Sequence, residues 1–110
     1  MTQLLGNALT IDFPEQRTIQ VPGGPATVTG TYRLPEIGGA GTGIWTVEVG
    51  EIELATKEEL FVILQGAARV LLPDTGEEFE VGPGSIVHLK GGQLSRWAVS
   101  ETIRKVFVNA

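Results

Sequence analysis

Apolar and polar residues alternate with a period of two along most of this chain. From Gly43 the pattern places Trp45, Val47 and Val49 on one face and Ile44, Thr46 and Glu48 on the other, as side chains of an extended strand must fall. Glu51 and Glu53 then alternate with Ile52 and Leu54. The run Leu60-Phe61-Val62-Ile63-Leu64 is too short for a typical globular helix and closes on Gly66, so it predicts a buried strand entering a tight turn. Within it Glu59, Phe61 and Ile63 share one face, which threads a carboxylate onto an apolar surface. Ala68, Val70 and Leu72 form the next strand face, Pro73-Asp74-Thr75-Gly76 reads as a hairpin, and Phe79 and Val81 return from it. Gly82-Pro83-Gly84 turns again, Ser85 to Leu89 is strand, and Ser95, Trp97 and Val99 share a face beyond Lys90-Gly91-Gly92. Ile103, Lys105 and Phe107 do the same in the last strand.

The first third carries a weaker pattern. Leu9, Ile11 and Phe13 alternate before Pro14 and allow a short edge strand, Thr18 to Val21 is a brief strand stopped by Pro22-Gly23-Gly24-Pro25, and Ala26 to Leu34 has the Thr, Val and Tyr content of a strand. Pro35 to Gly43, with four glycines in nine residues, is expected to be a mobile loop at a cavity mouth. No long 3.6-residue apolar period is present. Short strands at nearly even spacing predict an all-β barrel or two-sheet sandwich.

A chain of 110 residues fits one domain. Its lack of cysteine excludes disulfides, thiolate metal sites and cysteine nucleophiles. The start, MTQLLGNALTIDF, has no basic leader and no apolar run of spanning length, so a cytoplasmic protein that does not engage a membrane is expected. Thirteen acidic against eight basic residues give a formal charge of -5, and the basic residues are scattered, which disfavours nucleic acid as a partner.

Several of these features, in their order along the chain, carry a resemblance. A Glu opening a strand that ends at Gly (Glu59, Gly66), Gly82-Pro83-Gly84, Trp97 just after the second motif and Lys105 in the final strand are similar to the small cupin group that includes the cupin domains of ureidoglycine aminohydrolase and the EutQ-type ethanolamine-utilisation proteins. The resemblance covers roughly the last 65 residues. It implies an all-β cupin double-stranded β-helix, a jelly-roll barrel, commonly dimeric. Residues 1–42 would then supply N-terminal strands and the Gly-rich loop, and 43–110 the cupin core of a single domain.

Metal-binding cupins carry His-x-His, three or four residues, Glu, six further residues and then Gly, with another His in the second motif. Here Glu59 keeps the end of that pattern, whereas Glu53 and Ala55 stand where the two histidines would be and Ser95 where the later one would be. Lys90 replaces the usual proline, and His88, the sole histidine, falls at no ligand position. No cofactor is therefore expected. Glu53 and Glu59 together would make an oxygen-ligand pair for a hard divalent cation, against the simpler reading that Glu59 pairs with a basic neighbour and Glu53 is solvated.

Lys105, between Ile103 and Phe107, reads as a partly buried ammonium, either a base or Schiff-base amine of lowered pKa or, more simply, a cation neutralised by Glu59 first or Glu53 second. Trp45 and Trp97 read as core or as pocket walls, and His88 as a hydrogen-bonded structural or interface residue. The candidate ligand-binding set is Glu53, Glu59, Ser95, Trp97 and Lys105. Catalytic residues are not assigned. The function expected is a cupin without metal that binds a small molecule or acts as a non-catalytic module, and that forms a homodimer because both faces of Leu60 to Leu64 are apolar. The alternative, implied by the resemblance, is an enzyme acting on a small polar nitrogenous or carboxylated metabolite.

Overall fold

The computed structural model describes residues 3–20, 24 and 26–110, and among them there is no helix. Eight strands follow one another: β1 (Glu15–Gln20), β2 (Ala26–Ile37), β3 (Ala40–Val47), β4 (Gly50–Ala55), β5 (Glu59–Leu72), β6 (Glu77–Val81), β7 (Ile86–Leu89) and β8 (Leu94–Asn109). All pairings are antiparallel. Val21, Pro22, Gly23 and Pro25, where a strand end and a stop are expected, lie outside the described residues.

Two long strands, β5 and β8, pair with each other and build both layers. The first half of β5 pairs with β7 and its second half with β6. Likewise the second half of β8 pairs with β3 and its first half with β4. One layer therefore runs β1-β2-β3-β8-β5-β7 and the other β4-β8-β5-β6, the jelly-roll architecture. The register between β5 and β8 shifts at Ile63 to Ala68, where both strands pass from one layer to the other. Gly66 sits at that passage with φ of 96°, and a Cβ there would collide with the carbonyl of Thr102, so glycine is the residue the bend accepts.

The inner faces close on a core that includes Val47, Ile52, Phe61, Ile63, Val70, Leu72, Val81, Leu89, Trp97, Val99, Ile103 and Phe107. Trp97 points inward with Ser95 and Val99, as the alternation of that strand requires. Glu59 and Lys105 are buried on the same interior surface.

Three local expectations give way. Pro35 to Gly43 is a hairpin: β2 runs on to Ile37, Gly38 and Gly39 turn with φ of 60° and 83°, and Ala40 pairs back with Ile37. The two left-handed glycines are what a two-residue hairpin needs, and Thr42 Oγ1 donates to the Pro35 carbonyl at 2.7 Å across it. The other glycines of the stretch serve close packing; at Gly43 a Cβ would lie 2.8 Å from the Phe107 ring. The strand opened by Glu59 does not stop at Gly66 but continues through it to Leu72. Leu9 to Phe13 forms no strand. Asn7 folds that segment into a turn, accepting from Leu9 N at its side chain and from Thr10 and Ile11 N at its carbonyl. The segment is held against the outer face by Arg104, which donates to the carbonyls of Ala8 and Ile11 and stacks 4.7 Å over Phe13.

Candidate functional site

The interior of the barrel holds an ion pair. On β8, Lys105 lies opposite Trp45 of β3 and Ile63 of β5, and its side chain runs along the sheet past Phe61 to reach Glu59, the first residue of β5. Nζ lies 2.8 Å from Glu59 Oε2, with the two side chains only 4% and 5% exposed. Three aromatic rings enclose the ammonium: Phe61 at 4.2 Å, Trp45 at 4.6 Å and Trp97 at 5.4 Å from ring centroid to Nζ. The rings brace each other, Trp97 against Trp45 at 5.9 Å and against Phe61 at 5.5 Å. Burial pushes the Lys105 pKa below its usual value, and the charge and hydrogen bond of Glu59 act the other way. The faces of the rings also favour the cation.

Above this pair the barrel opens into a cleft of about 230 Å³. Trp45, Leu54 and Phe107 form its apolar walls, Glu59 and Lys105 lie at its base, and Arg17 of β1 and Arg33 of β2 stand at its rim. Thr56, in the turn between β4 and β5, also lines it. Its Oγ1 is buried without a hydrogen-bond partner. A larger cleft, of about 340 Å³, lies along the outer face of β4, β8 and β5. Both of its arginines are paired there, Arg96 with Glu53 and Arg69 with Glu78.

Of the five expected ligand-binding residues, Glu59 and Lys105 meet directly and Trp97 lies beneath the ammonium. Ser95 is buried one step further along β8, its Oγ accepting the Trp97 indole N–H at 3.1 Å. Glu53 does not join them. On β4 the inward positions are taken by Ile52 and Leu54, so Glu53 points outward and accepts from Arg96 Nε at 2.7 Å. The oxygen-ligand pair of Glu53 and Glu59 is thereby corrected: the two carboxylates serve opposite faces. His88 is exposed and paired with Glu58 at 2.8 Å, a surface contact. Arg33 and Arg17 escaped the sequence reading. The signal for Arg33 is its place in the alternation Thr27, Thr29, Thr31, Arg33, whose first two members are buried.

The cupin metal positions do not fit a metal here. Ala55 offers no donor, Glu53 faces outward, the Ser95 hydroxyl is engaged by Trp97, and the Glu59 carboxylate is held by Lys105. Among the described residues no group of three or more His, Asp or Glu side chains converges.

The family model for the EutQ-like cupin domain matches residues 35–107. The chain belongs to the EutQ-like cupin family. Among curated proteins no relative matches by sequence. Solved structures similar to this cupin include the EutQ protein of Clostridium difficile, at 15% identity and TM-score 0.64, covering 76% of this chain and 68% of that one. A DUF861 family protein of Thermotoga maritima is 31% identical with TM-score 0.57 over 61% of this cupin and 76% of its own chain. Ectoine synthase from P. lautus shares 19% identity and TM-score 0.64 over 73% of this cupin and 62% of the enzyme. Such neighbours share the barrel while differing in what they are named for, so function must be argued from the site.

Proposed function

We propose that this cupin works without a metal and binds a small molecule in the cleft above Lys105 and Glu59, without catalysing a reaction. The observation that carries the reading is the Glu59–Lys105 pair. The single carboxylate that keeps its place in the cupin motif is neutralised by an internal ammonium, which fills the interior with a fixed cation of the protein's own. The cleft volume suits a small metabolite, below the roughly 300 Å³ at which drug-sized pockets begin. An enzyme acting on a small polar nitrogenous or carboxylated metabolite is the second reading, favoured by one observation: Lys105, an amine of lowered pKa, lines a cleft beside a carboxylate.

Elemental analysis after incubation with Mn, Fe, Ni and Zn and then dialysis tests the first reading. The expected result is no stoichiometric metal. One ion per chain, lost in Glu59→Gln, would overturn it.

We infer a cytoplasmic homodimer as well. Leu60, Ile86 and Val108 lie together on the outer face and stay 49%, 71% and 45% exposed, apolar surface that a twin would cover. Sedimentation at micromolar concentration should give twice the chain mass, and monomer alone would refute the dimer.

A further inference from the structure

Arg17 and Arg33 hold inward positions on neighbouring strands, where a barrel ordinarily presents apolar residues or threonine to its interior. Arg17 pairs with Thr29 and Arg33 with Gly43, and both guanidinia reach the rim of the same cleft. Among the described residues neither takes part in a salt bridge. The carboxylate at the base, Glu59, is already neutralised by Lys105, so the two arginines leave a net positive cleft on a chain whose formal charge is -5. Thr56 lines the same cleft, its hydroxyl buried and without a partner. Both arginines precede the stretch matched by the family model, so the feature belongs to this chain's own N-terminal strands.

Resting on the small-molecule reading above, we propose that Arg17 and Arg33 form an anion subsite and that the ligand is a small organic carboxylate. Its carboxylate sits between the two guanidinia, whose planar forks match a carboxylate with two parallel hydrogen bonds. Its short organic body lies against Trp45, Leu54 and Phe107. The apolar walls select an organic acid over inorganic phosphate, which has nothing to place against them.

The test titrates the full chain with acetate, glycolate, malonate and succinate, with their neutral amides, with ethanolamine and with inorganic phosphate. Calorimetry and tryptophan fluorescence are the readouts, since Trp45 lines the cleft. At least one carboxylate should bind saturably, its amide and phosphate at least about tenfold more weakly. Arg17→Gln and Arg33→Gln should each weaken it by about tenfold or more, the usual effect of losing a hydrogen bond to a charged group. Both residues are exposed, so the variants should keep the wild-type near-UV circular dichroism and melting midpoint. An amide, ethanolamine or phosphate that binds as well as the acids, or arginine variants of unchanged affinity, would overturn the carboxylate subsite and leave small-molecule binding standing. Saturable binding of none of the probes would overturn the subsite and count against the small-molecule reading too.

Discussion

Strand β8 makes two ion pairs of nearly equal length, Lys105 with Glu59 at 2.8 Å and Arg96 with Glu53 at 2.7 Å, and their surroundings differ throughout. Lys105 and Glu59 are buried at the base of the cleft among three aromatic rings, whereas the side chains of Arg96 and Glu53 remain 56% and 31% exposed. Contact distance therefore says little about what either pair contributes. In the interior each ion has lost its water, so its partner is what keeps the charge tolerable. On the outer face water solvates both ions whether or not they touch. Parity along one strand makes this division: odd-numbered residues of β8 from Ser95 to Val99 and from Ile103 to Phe107 are buried, while Arg96 faces outward.

The interior pair should respond most strongly. Lys105→Met leaves a buried carboxylate without its cation, and Glu59→Gln leaves a buried ammonium; each should cost about 3–5 kcal/mol in urea unfolding. The double variant should recover part of the loss, with a coupling energy of about 1–3 kcal/mol. Additive losses would mean that the two groups act independently, and the contrast with the outer pair would collapse.

Alkaline titration sharpens the comparison next. Because burial lowers the Lys105 pKa, the unfolded chain keeps its proton at pH values where the folded chain has already lost it. Between the lowered folded value and the ordinary value of 10.5 the unfolded state thus binds more protons, and stability attributable to Lys105 rises with pH. Below that window both states are protonated and this contribution is constant, at its least favourable. Subtracting the stability-pH curve of Lys105→Met should expose the rise. Direct NMR titration of Nζ offers a second measurement, and a midpoint at or above 10.5 would contradict it.

How far these features were legible in the sequence depended on whether a short-range period could speak for them. Glu59 and Lys105 were legible because each is a charge at an apolar parity, Glu59 with Phe61 and Ile63, Lys105 with Ile103 and Phe107, and two such ions need one another. Glu53 shows the opposite lesson. Motif spacing set it beside Glu59, but the simple alternation of Ile52 and Leu54 with Glu51 and Glu53 already pointed it outward, and the period of two was the better guide. Glycine density misled at Pro35 to Gly43, because Gly38 and Gly39 turn a hairpin while Gly41 and Gly43 lie within β3. The parity change along β5 was written in the residues, inward at Glu59, Phe61 and Ile63 and then at Ala68, Val70 and Leu72. What it means, a crossing between layers, needs the Gly66 bend against Thr102. The alternation from Thr27 to Arg33 hinted at the face Arg33 takes, but its meeting with Arg17 at one rim was out of reach, since it depends on β1 and β2 extending the sheet beside β3.

The smallest effect belongs to the outer pair. Arg96→Ala should cost less than about 1 kcal/mol, because the Glu53 carboxylate regains water when the guanidinium leaves. The same loss should shrink further in 1 M salt, where screening acts within about 3 Å. Salt should leave the cost of Lys105→Met nearly unchanged, since a buried pair is screened far less than an exposed one. Measuring both variants at low and high salt sets the two pairs against each other in one experiment. If Arg96→Ala proved as costly as Lys105→Met, or if both losses fell equally with salt, burial would not be what separates them. The Glu59–Lys105 pair would then have to be solvated in solution, and with it the base of the proposed binding cleft.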